Sequence, residues 1–164
     1  MKILIRLKRE RMLYDIANNA FITAETMADG RQRHWTEDIT ESQNIDRVNR
    51  MLWLAYCRVG HLLRRWIRPL WNEPSADALA DGHPACRQEY VFCLESHRPV
   101  DKATADYCSI LIYEMMTATV IADWLQLTAP EKATVWETRR EETADRLRRT
   151  VAHLHRCQGR PLAF

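Results

Sequence analysis

The chain has 164 residues, enough for one domain with a genuine hydrophobic core. Its 24 lysines and arginines nearly balance 22 acids, and a net charge of +2 argues against a chain that binds nucleic acid by bulk electrostatics. Only four glycines speak against a β-sandwich or a glycine-rich nucleotide loop. Five cysteines, odd in number and irregularly spaced, suggest no disulfide framework and favour a reducing cytoplasm.

The opening MKILIRLKRER has a short apolar run followed at once by charge, and lacks the apolar core and small-residue cleavage site of a secretory signal. Its isoleucine- and leucine-rich alternation predicts a short strand over 2–7. The pattern turns helical over about 8–18, where Met12, Leu13, Ile16 and Ala20 recur at helical spacing. A second short helix is expected over 21–27, ended by Ala28-Asp29-Gly30, and a polar connection over 31–38 has Trp35 as its only large apolar anchor. Thr40-Glu41-Ser42-Gln43 has the shape of a capping box, in which the hydroxyl caps the helix and the glutamine reaches back. It predicts a long helix over about 41–68, with Ile45, Val48, Leu52, Ala55, Val59, Leu62, Leu63 and Trp66 in period and Pro69 beyond the end. Arg58, Arg64, Arg65 and Arg68 crowd its last turns, where cations complement the helix dipole.

Prolines and glycine punctuate a loose loop over 69–87, with a helical turn expected at 75–80. QEYVFCLE at 88–95 is the second strand candidate, and it is expected to pair with 2–7 because a lone strand leaves backbone groups unpaired. Pro99 ends it, and Asp101 can cap the central helix over 103–128. There Cys108, Leu111, Met115, Ala118, Ala122 and Leu125 share one face. The other side is apolar too at Ile110, Val120, Ile121 and Trp124, interrupted by a thin stripe of Asp106, Ser109, Tyr113 and Thr117. A helix apolar nearly all round is normally buried against several elements. Glu114 and Asp123 interrupt the run short of the ~20 apolar residues a membrane span needs.

Thr128-Ala129-Pro130-Glu131 repeats the capping-box pattern and opens a last helix over 130–156. Its narrow stripe is Ala133, Trp136, Ala144, Leu147, Val151 and Leu154, and the rest is charged, with Glu142/Arg146 and Asp145/Arg149 as favourable i,i+4 pairs. The short link makes the last two helices antiparallel neighbours. A flexible, apolar-tipped tail is expected over 158–164.

The sharpest metal-like pattern is His83, Cys86, Cys93 and His97, since zinc accepts two thiolates and two imidazoles in a tetrahedron. Irregular spacing and the alternating segment around Cys93 favour ordinary free cysteines and surface histidines, so neither metal nor cofactor is expected. In the second local cluster, His153, His155 and Cys157, the two histidines point to different sides of a regular helix. No sequence context marks a nucleophile beside a base. Glu114 and Asp123 lie near opposite sides of the central helix and form no dyad; each is expected to find an arginine partner or face a neighbouring subunit. The arginines of the last helix are offset by Glu141, Glu142 and Asp145, which favours a solvated salt-bridged face. Arg58, Arg64, Arg65 and Arg68 lack nearby acids and are the better candidates for an anionic partner. Six tryptophans are many for this length. Trp53 lies off the main stripe, Trp71 sits in the proline-flanked loop, and Phe164 ends the tail. Such aromatic anchors are typical of protein interfaces, and they make self-association the leading physical reading against packing within the domain.

Leu13-Tyr14-Asp15-Ile16, Asn44-Ile45-Asp46-Arg47-Val48 and Ala122-Asp123-Trp124-Leu125, with Tyr90–Leu94 and the charged last helix, together resemble small proteins encoded among virion-assembly genes of tailed phages and prophages. The resemblance implies a structural or assembly role, for example at the head–tail junction, where small helical adaptors form rings. It carries over no catalytic residues. The expectation is therefore one mainly α domain, a bundle of three longer helices plus short ones with a small two-stranded β ribbon. It would act as a non-enzymatic homo-oligomer with other virion proteins, in the host cytoplasm or the virion and away from membranes. The alternative is a small nucleic-acid-binding or regulatory helical protein that uses the basic face at 58–68.

Overall fold

The computed structural model describes residues 1–67, 87–96 and 99–155. The tail at 158–164 and all of the expected loose loop except Arg87 lie outside the described residues. β1 (Lys2–Lys8) runs straight into α1 (Arg9–Glu25). Next, α2 (Gly30–Glu37) leads through a 3-10 turn (Asp38–Thr40) to α3 (Ile45–Leu62). β2 (Glu89–Glu95) then precedes α4 (Lys102–Thr128) and α5 (Pro130–His155). The fold is mainly α, with a two-stranded antiparallel ribbon.

The ribbon pairs Lys2 with Glu95 through Lys8 with Glu89, joining the two segments that the sequence marks as strands. Ile3, Ile5 and Leu7 oppose Leu94, Phe92 and Tyr90 and enter the core, while Lys2, Leu4, Arg6 and Lys8 are exposed. This alternation is the period of two that a half-buried strand requires. Behind the ribbon stands α4, with Leu111, Ile112, Met116 and Ile121 among its fully buried side chains. By length and composition α4 passes for a membrane span, yet 72% of its most apolar window is buried inside the domain. The Asp101 carboxylate accepts the Thr104 backbone N–H at 2.9 Å and so caps α4. Hydrogen bonds from Thr104 hold that carboxyl below the usual carboxylate range. Only Ala129, itself buried, separates α4 from α5.

The structure departs from expectation in five places. α1 is one helix where two were expected, because Met12, Ile16, Ala20 and Ala24 bury a single i,i+4 row across the weak helix formers Asn18 and Asn19. Asn19 itself donates to Asp15 O at 2.7 Å, and Thr23 to Asn19 O at 2.7 Å. The polar connection is helix α2, capped by the Asp29 carboxylate on Arg31 N–H at 2.9 Å. Helicity turns Trp35 out to 52% exposure and buries Thr36, whose hydroxyl meets that of Thr128 at 3.2 Å. The Thr40–Gln43 capping box does not form: Asn44 donates to Asp38 O at 2.9 Å and α3 starts at Ile45. Nor does Thr128 cap α5, since its hydroxyl turns back to Trp124 O at 3.3 Å. Finally, α3 ends at Leu62 rather than near 68. The Trp66 carbonyl accepts Glu95 N–H at 2.8 Å and Ile67 bridges to Leu94, so the free edge of β2 recruits the backbone that would have continued the helix.

Candidate functional site

That early helix end dissolves the arginine cluster as a helical face. Arg64 and Arg65 are exposed in the turn after α3, and Arg68 lies outside the described residues. Arg58 remains on α3, where its guanidinium grips both Asp123 carboxylate oxygens at 2.9 and 3.2 Å. Arg140 of α5 approaches the same carboxylate at 4.0 Å, so Asp123 ties three helices together. Glu114 faces Arg139 at 4.0 Å. Glu114 and Asp123 thus have the arginine partners expected of them.

Trp53 is half-buried: its ring lies 5.4 Å from that of Tyr56, and the Arg87 guanidinium sits 4.5 Å over its centroid. One face of this anchor is already occupied within the domain. Trp71 and Phe164 lie outside the described residues, as do His83, Cys86 and His97. Cys93, the remaining member of that zinc pattern, is a buried free thiol, and no metal-sized cluster of His, Cys, Asp and Glu occurs among the described residues. α5 stays helical through His155. Burial pushes the Cys108 thiol up, and it pushes Cys57 up with Arg87 offsetting only part. Raised thiols are poor nucleophiles.

Two features escaped the sequence reading. The first is the outer face of α1. With Met12, Ile16, Ala20 and Ala24 turned inward, Tyr14, Phe21 and Ile22 stand outward at 67%, 48% and 62% exposure. The signal was available: extending the i,i+4 row past Asn18 places those three opposite it.

The second is a cleft of about 510 Å³ between β1, α1, α4 and α5. Its floor is the outward side of α4, where Ser109, Tyr113 and Thr117 come from the thin polar stripe and Ile110, Glu114 and Ala118 flank it. Arg6, Leu7 and Lys8 of β1 close one end, Arg11, Asp15 and Asn19 of α1 form one wall, and Trp136 and Arg139 of α5 form the other. The Tyr113 hydroxyl donates to Asp15 and lies 3.1 Å from the Arg11 carbonyl. Burial first, and then the Asp15 hydrogen bond and charge, hold this phenol well above its usual range, with Arg11 opposing. Thr117 is 6% exposed, and its buried hydroxyl has no hydrogen-bond partner among the described residues. By contrast Thr119, Thr143 and Thr150 each donate to the carbonyl four residues back, at 2.7, 2.8 and 2.9 Å. Away from the cleft, Tyr90 is buried with a hydroxyl that has no hydrogen-bond partner among the described residues, and burial pushes it up to about 12 despite Arg9 and Arg87.

The segments behind the phage-assembly resemblance map to joints of the fold. Asp15 receives Tyr113, Asn44 fixes the start of α3, and Asp123 clamps α3 to α4 and α5. Comparison with known proteins finds no matching family model, curated protein or solved structure.

Proposed function

We propose that the chain is a non-enzymatic assembly protein that packs with copies of itself, in the manner of a head–tail adaptor of a phage or prophage, in the host cytoplasm or the virion. The observation that supports this reading is the outer face of α1, where Tyr14, Phe21 and Ile22 meet solvent on one helix. Burying a large apolar side chain contributes roughly 1.5–3 kcal/mol. Three partly exposed ones do not by themselves offset the roughly 4–15 kcal/mol that association costs. A closed ring uses the surface of every copy on both sides, which is how modest patches accumulate into a stable assembly. The nucleic-acid alternative has lost Arg58 to Asp123 and rests on Arg64, Arg65 and Arg68.

Sedimentation velocity on the full chain and on Tyr14→Glu and Phe21→Glu tests the reading. The expected result is a defined oligomer that the two substitutions dissociate into folded monomers. An oligomer indifferent to both substitutions overturns the role of α1, and a salt-dependent DNA complex in its place favours the arginine reading.

A further inference from the structure

None of the three α1 side chains on which the assembly reading rests lines the cleft over α4, and its chemistry points to a small ligand. Its lining carries four cations, Arg6, Lys8, Arg11 and Arg139, against two carboxylates, Asp15 and Glu114. Those carboxylates are engaged, Asp15 by the Tyr113 hydroxyl and Glu114 by Arg139 at 4.0 Å. Arg6 pairs with Glu89 at 3.5 Å. Lys8 and Arg11 form no ion pair among the described residues, and they stand together where β1 becomes α1. Across the trough, Trp136 and the exposed Ile110 offer apolar surface, and the Arg139 guanidinium lies 5.2 Å over the Trp136 ring. The floor holds the unpartnered Thr117 hydroxyl. A buried polar group left unpaired costs about 1–3 kcal/mol, so a native example asks for an explanation. A volume of about 510 Å³ falls within the range of small-molecule sites.

We infer that this cleft binds a small amphipathic anion, a flat apolar body bearing one carboxylate or phosphate group. The anionic group sits against Lys8 and Arg11, where charge-assisted hydrogen bonds are strongest. The flat body lies along Ile110 and Trp136. Nothing in this assignment requires turnover, and it stands whether or not the protein assembles.

Calorimetric titration of the full chain with phenyl phosphate and benzoate tests it, with phenol and inorganic phosphate as single-feature probes. The expected result is saturable 1:1 binding of at least one aryl anion, tenfold or more tighter than either single-feature probe. Preference between phenyl phosphate and benzoate tells which anionic group the site takes. The exposed pair Lys8→Gln/Arg11→Gln should weaken binding at least tenfold, and Arg64→Gln/Arg65→Gln should leave it unchanged. Ile110→Asp, a separate exposed change at the trough, should weaken it as well by repulsion. The inference is overturned by the absence of saturable heat with both aryl anions. It is equally overturned if the lysine–arginine pair and Ile110→Asp leave affinity intact, or if the Arg64/Arg65 pair weakens it as much.

Discussion

The outer face of α1 and the polar stripe of α4 invert the usual pattern in opposite directions. On α1, Tyr14, Phe21 and Ile22 turn apolar surface to water. On α4, Tyr113 and Thr117 bring hydroxyls into a helix that is otherwise the most buried of the domain. Exposed single apolar residues are ordinary, but three on one helix face cost solubility without helping the fold. A buried hydroxyl without a partner costs stability outright. Neither arrangement is what burial alone would select, and the assembly and ligand proposals give each a counterpart outside the chain. The contrast teaches that packing explains the inner row of α1 and most of α4, while these two inversions are the places to look for function.

The contrast can be attacked from several sides. Ile112→Ala, at a fully buried position of α4, should cost about 2–5 kcal/mol in urea unfolding, because both regions hang on that core. A loss below about 1 kcal/mol would mean the core lies elsewhere. Raising the pH should come next in size. Tyr90 stays neutral in the fold up to about 12, whereas an unfolded phenol ionises near about 10. The folded state therefore keeps this contribution below pH ~10 and loses it progressively as pH rises toward 12. Tyr113, shifted in the same direction, adds to the loss, and Tyr113→Phe should flatten the alkaline fall in melting temperature. A curve identical to wild type would refute the buried-phenol assignment. Thr117→Val removes the orphan hydroxyl and should stabilise the isolated chain by roughly 1 kcal/mol, whereas a matching loss would reveal a hydrogen bond at that site. Smallest in stability is Phe21→Glu, expected within about 0.5 kcal/mol of wild type by the same assay, since surface changes rarely do more.

Layering was legible in the sequence because hydrophobic period and element type are local. The pairing of the two strands, the α4–α5 hairpin and the Asp101 cap follow from the two alternating segments, the short link and an aspartate placed just before the central helix. The end of α3 was not legible, because it depends on β2 taking the backbone of Trp66 and Ile67, a partner distant in sequence. The same long-range contact moved Arg64 and Arg65 off the helix. Capping motifs also misled: Thr40 and Thr128 have the right spacing, but Asn44 and Thr36 offer their neighbours competing hydrogen bonds. The stripe of Ser109, Tyr113 and Thr117 was visible, yet its meaning required knowing that α1, α5 and β1 stop short of covering it. The α1 face was hidden by a boundary placed at Asn18, which split the row from Met12 to Ala24 across two expected helices.

The most direct measurement is the solution mass of the full chain by light scattering across a concentration series. Self-packing predicts one defined multiple of the 19.4 kDa chain, approached as concentration rises and lost in Phe21→Glu. A mass that stays at 19.4 kDa at every concentration would contradict it.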